Sequence, residues 1–94
     1  MASKVKSNKI EGVTKSGYAY SIDKNRLQNY ELLEVLADVD ENPILMPKLL
    51  VMLMGKEEKD KLIDFLRIED GTVPSDKVAE TIAEIFEEVG ELKN

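Results

Sequence analysis

The chain has 94 residues, of which 43% are hydrophobic and 34% charged, with a formal net charge of −6. That length suits one domain with one modest core, and the composition is that of a folded domain with a highly charged surface, not of a disordered chain. Cysteine and histidine are both absent, which excludes disulfides, thiolate metal sites and cysteine nucleophiles and removes the usual base near neutral pH.

Residues 1–8 are small and charged, and are expected to form a flexible basic tail ahead of a single domain, 9–94. Residues 9–22 read as a β-hairpin. Ile10 and Val13 lie on the first arm and Lys15-Ser16-Gly17 supplies the turn. Tyr18, Tyr20 and Ile22 then alternate with Ala19 and Ser21 at the period of a half-buried strand. A two-stranded hairpin is marginal alone, so the Tyr18–Tyr20–Ile22 face must cover the helices or another protein. Asp23, Asn25 and Asn29 are all good helix caps, which leaves the start of the first helix open.

From Tyr30 to Val39 the pattern is helical, with Leu32, Leu36 and Val39 on one face and Leu33 and Val35 beside it. Asp40-Glu41-Asn42-Pro43 ends that helix, because the residue before a proline disfavours the α region. A second helix is expected to start near Pro47, to be apolar almost all round, and to stop at Gly55. A third spans Lys56 to Ile68, with Leu62, Phe65 and Leu66 as its inner stripe and Ile63 at the margin. After the Glu69-Asp70-Gly71 turn, Thr72 or Ser75 is expected to cap a fourth, with Pro74 near its first turn. There Val78, Ile82, Ile85, Phe86 and Val89 form an amphipathic stripe that ends or frays at Gly90. The expected fold is mainly α: an N-terminal β-hairpin followed by about four short helices in a small orthogonal bundle.

Location and chemistry are read mostly by exclusion. The opening Met1-Ala2-Ser3-Lys4-Val5-Lys6 leads into no apolar run. The longest apolar stretch, Ile44 to Met54, is interrupted by Pro47 and Lys48 and falls short of the roughly 20 residues a membrane helix needs. A cytoplasmic protein with no membrane partner is therefore expected. The acidic cluster at Asp38–Glu41 fails as a calcium loop: counted from Asp38, the required glycine and glutamate positions hold Pro43 and Leu49. The clusters Glu57-Glu58-Asp60 and Glu84-Glu87-Glu88 read as solvated surface, the first also suiting a helix N-terminus. The glycines are scattered singly, so no phosphate loop forms, and there is no nucleophile elbow. No catalytic residue, cofactor or metal is expected.

Charge divides along the chain. Residues 1–26 carry six basic groups against Glu11 and Asp23, a balance of +4, whereas residues 27–94 balance to −10. The acidic last helix, with Glu80, Glu84, Glu87, Glu88 and Glu91, would face a phosphate backbone badly, so nucleic acid is not an expected partner. Lysines on the first arm read most simply as protection of an edge strand. Met46, Met52 and Met54 cluster on the most apolar helix. They either fill the core or offer a pliable surface to a partner or to a second copy.

The order and spacing of several segments also carry a resemblance. These are Gly17-Tyr18-Ala19-Tyr20-Ser21-Ile22-Asp23, Tyr30-Glu31-Leu32-Leu33-Glu34-Val35-Leu36-Ala37, Asp40-Glu41-Asn42-Pro43 and Leu53-Met54-Gly55-Lys56-Glu57. They continue with Asp70-Gly71-Thr72-Val73-Pro74, Ile82-Ala83-Glu84-Ile85-Phe86 and Glu91-Leu92-Lys93-Asn94. Over residues 17–94 the chain resembles the short tail assembly chaperones of long-tailed bacteriophages, chiefly siphophages and prophages of Gram-positive hosts. The resemblance implies a non-enzymatic protein of the host bacterial cytoplasm, absent from the mature virion. Its partner would be the tape measure protein, with the tail tube protein recruited through a longer, frameshifted form. The expected contact surface is Met46, Leu49, Leu50, Leu53 and Met54, with Tyr18 and Tyr20 beside it. A tail or neck component that stays in the virion, and a small acidic regulator such as an antitoxin or inhibitor, are the rival readings.

Overall fold

The computed structural model describes residues 9–93, so the expected 1–8 tail lies outside the described residues. Two antiparallel strands, β1 (Lys9–Val13) and β2 (Ala19–Asp23), precede a mainly helical body. The helices are α1 (Lys24–Leu27), α2 (Tyr30–Val39), α3 (Met46–Leu66) and α4 (Ser75–Lys93), with a 3-10 turn at Pro43–Leu45 ahead of α3. The expected class, a hairpin followed by helices, is the observed one.

The hairpin closes through Thr14. Its carbonyl accepts from Gly17 N, its amide donates to Tyr18 O, and its hydroxyl accepts from Tyr18 N at 3.1 Å. Ile10 pairs with Ile22 and Gly12 with Tyr20. Alternation along β1 therefore turns Ile10 inward and Val13, 60% exposed, outward. Gly12 makes room for the ring of Tyr20: a Cβ there would lie 2.7 Å from Tyr20 Cζ.

Two of the three candidate caps are used. Asp23 Oδ1 accepts from Asn25 N at 2.9 Å to start α1, and Asn29 Oδ1 accepts from Glu31 N at 3.1 Å to start α2. Asn25 itself lies inside α1. Leu32, Val35 and Val39 of α2 are buried. Before Pro43, Asn42 takes the non-helical angles φ −135°, ψ 77°, as a residue preceding proline must.

α3 is the centre of the body, packing against α1, α2, α4 and β2. Its two halves, 46–54 and 56–66, meet at Gly55, which has φ 84° and ψ 161°. That region is open essentially to glycine alone. The break divides two expected helices where the sequence placed it, at Gly55, but no loop separates them. Arg26 covers the break: its Nη1 donates to Val51 O at 3.3 Å, and its Nη2 lies 3.1 Å from where a Gly55 Cβ would stand. The guanidinium thus meets a carbonyl of the last turn of the first half, where a cation suits the helix dipole.

Three details differ from expectation. Phe65 is not in the inner stripe of α3. Leu62 alone is fully buried there, while Phe65 is 46% exposed and lays its ring against Tyr18 with centroids 5.3 Å apart. Thr72 does not cap α4. Its amide and hydroxyl both donate to Asp70 Oδ1, at 2.9 and 2.7 Å, holding that exposed carboxyl below its usual pKa; at the start of α4, Pro74 O accepts from Lys77 N at 3.1 Å and from Val78 N at 3.3 Å. And α4 continues through Gly90 to Lys93. Its stripe of Val78, Ile82, Ile85 and Val89 is buried as expected.

The Gly55 break makes a sharp contrast testable by chemical denaturation. Gly55→Ala puts a Cβ on backbone that glycine alone adopts freely, 3.1 Å from Arg26 Nη2, and should cost about 1–3 kcal/mol. Gly90→Ala, in an open helical position, should stabilise by about 0.5–1 kcal/mol.

Candidate functional site

The residues expected from sequence to form a contact surface are mostly consumed by the core. Tyr18, Tyr20, Leu49, Leu50, Leu53 and Met54 are all buried, none more than 6% exposed. As an open binding face this set is corrected: α3 residues 46–54 are apolar nearly all round because α2, α4 and the hairpin enclose most of that circumference. Only Met46 remains half-buried at the surface.

The hairpin is held to the helices by carboxylates. Tyr18 Oη donates to Glu58 Oε2 at 2.9 Å and Tyr20 Oη donates to Glu88 Oε1 at 2.6 Å. At the turn, Lys15 N donates to Glu84 Oε2 at 2.6 Å. Sequence pattern marks Glu58, Glu84 and Glu88 only as solvated acids, because their role depends on partners 40 to 69 residues away. Burial, reinforced by the hydrogen bond from each phenol and the charge of its carboxylate, raises both phenols. Tyr20 is pushed up to about 12 and Tyr18 still further.

A surface groove remains between the start of α3 and the start of α4, with a volume of about 670 Å³. Pro43, Ile44, Met46 and Pro47 form one wall, and Val73, Val78 and Ala79 the other. Leu50 and Ile63 also line it, together with Lys59, Ser75 and Asp76 as its polar groups. Pro43 and Pro47 hold the chain in the tight turn that lifts Ile44 into solvent, where it is 79% exposed. Of the expected contact residues, the groove brings together Met46 and the edge of Leu50. Sequence reasoning misses Ile44, Ile63, Val73 and Ala79 as contact residues; the two prolines bracketing Ile44 are the available signal. Such a surface suits apolar contact, with Lys59 and Asp76 able to orient a partner's polar flanks.

Among the described residues, no group of three or more histidine, cysteine, aspartate or glutamate side chains is placed to hold a metal ion. No described helix is long and apolar enough to cross a membrane. Comparison with protein-family models, with curated proteins and with solved structures finds no match.

The phenols predict a response to alkali. A phenol whose pKa is raised on folding contributes stability that is fully present below about pH 10 and is lost as pH rises through the folded value. The protein should therefore lose stability from pH 10 toward and beyond pH 12. Tyr20→Phe should cost about 1 kcal/mol at neutral pH through the lost hydrogen bond. Above pH 10 its unfolding midpoint should fall less steeply than that of the parent chain. Denaturant titrations at pH 8 and pH 11 measure both effects.

Proposed function

We propose that the protein is a non-enzymatic binding module whose groove shields an apolar helical stripe of a partner. In line with the resemblance carried by its sequence segments, the partner is the tape measure protein of a long-tailed phage, held soluble during tail assembly. The observation that supports this reading is the groove itself. A small acidic domain completes its core and still leaves Ile44 and Met46 on an apolar surface.

The physical rationale is direct. A long amphipathic helix exposes an apolar stripe and aggregates through it. An apolar groove covers a segment of that stripe by helix-in-groove packing. The net charge of −6 keeps the complex dispersed. Two prolines make the wall around Ile44 stiff, which reduces the ordering cost of binding.

Co-expression with the tape measure protein of a long-tailed phage, followed by affinity capture and size-exclusion chromatography, tests this reading. A soluble co-eluting complex is expected, with the partner insoluble when made alone. Ile44→Glu, at an exposed position, and Met46→Glu, at a half-buried one, should retain the helical circular-dichroism spectrum and weaken the complex at least about tenfold each. Full binding by both folded variants would exclude the groove. A partner equally insoluble with and without the chain would reject the chaperone role.

A further inference from the structure

A second surface lies on α2, which contributes nothing to the lining of the groove. Residues 28–47 contain Glu31, Glu34, Asp38, Asp40 and Glu41 and no lysine or arginine. Leu32, Val35 and Val39 of α2 enter the core, whereas Tyr30, Leu33 and Ala37 follow one another along its outer side at steps of three and four residues. Tyr30 is 67% and Leu33 54% exposed. The core therefore accounts for neither.

The acids are placed against the helix's own electrostatics. Asp38 lies in the last turn of α2, with Asp40 and Glu41 just beyond, at the end where the dipole disfavours negative charge; the last turn holds no basic residue. The two ion pairs among the described residues, Lys56–Asp60 and Arg67–Asp64, involve none of them. Toward the other end, Arg26 and Lys48 border a shallow hollow with Glu31. The uncompensated charge is thus concentrated in the C-terminal half of α2, beside the apolar stripe. A partner carrying lysines or arginines next to an apolar stripe would relieve both features together.

We propose that the outer face of α2, from Tyr30 through Leu33 and Ala37 to Glu41, docks a basic amphipathic helix of a partner protein. Leu33 and Tyr30 take the apolar stripe. Glu34, Asp38, Asp40 and Glu41 face its cationic flank. Neither part depends on the groove or on what occupies it.

The test uses the full chain, labelled with 15N, and two synthetic helical peptides: a leucine stripe flanked by lysines, and the same stripe flanked by glutamates. The lysine peptide should bind, shift the resonances of residues 30–41, and release as salt rises. The glutamate peptide should not bind. Leu33→Ser, at an exposed position, should weaken the lysine peptide about tenfold, as should the pair Glu34→Lys and Asp38→Lys. Unaltered affinity in Leu33→Ser would reduce the effect to diffuse attraction by an acidic protein and overturn the proposal. So would shifts centred on the groove, equal binding of the glutamate peptide, or no binding of the lysine peptide at low salt.

Discussion

The rest of the structure depends on how the hairpin is fastened. Two strands alone do not bury enough surface to persist, so the Tyr18–Tyr20–Ile22 face has to lie on the helices. Aliphatic side chains would supply the apolar area, but a tyrosine there brings a hydroxyl that must not be left unpaired. The phenols solve this by reaching through the packed layer to its edge. There Glu58 on α3 and Glu88 on α4 accept from them. With the turn amide of Lys15 on Glu84, the hairpin is tied to both long helices. None of the buried side-chain polar atoms among the described residues is left without a partner.

This fastening decides what the apolar half of α3 can do. A segment such as 46–54 presents large side chains in every direction, and in a domain of this size few elements are available to cover them. The hairpin, α2 and α4 take Leu49, Leu50, Leu53 and Met54. The break at Gly55 lets the second half of α3 leave in a new direction, and Ile63 of that half joins Met46 of the first in lining the groove. Arg26 caps the carbonyl end exposed at that break, so the change of direction does not leave a bare helix terminus. The groove is what remains where the two halves of α3 diverge and α4 begins.

Periodicity and turn chemistry make much of this legible in the sequence. The Lys15-Ser16-Gly17 turn, the stop before Pro43, the break at Gly55 and the buried stripe of α4 all follow from local rules about turns, prolines, glycine and helical spacing. The contact surface is less legible, for a specific reason. Apolar pattern marks which side chains must be covered, but not whether the chain or a partner covers them. Tyr18, Tyr20 and Leu53 are covered by the chain; Ile44, with no periodic pattern around it, is not. Phe65 shows the same limit at one residue's scale: its spacing fits the inner stripe, yet Leu62 and the hairpin ring of Tyr18 leave it at the edge. The partners of Glu58, Glu84 and Glu88 come from far along the chain, and no local rule connects them.

The acids consequently divide into two kinds that composition does not distinguish. Glu58, Glu84 and Glu88 accept hydrogen bonds from the hairpin and are part of what holds it in place. The carboxylates on and just after α2 accept nothing from the described residues, and three of them crowd the wrong end of a helix dipole beside an exposed Leu33. Selection for stability alone would favour a lysine or a glycine cap at that end. A domain with so small a core has only a narrow margin of stability, and these carboxylates add no contact to it among the described residues while lying beside the exposed Tyr30 and Leu33. The groove and the α2 face also differ in chemistry, one mainly apolar with Lys59 and Asp76 of opposite charge and one strongly anionic. Under the two proposals, two partner segments would occupy separate surfaces of one domain.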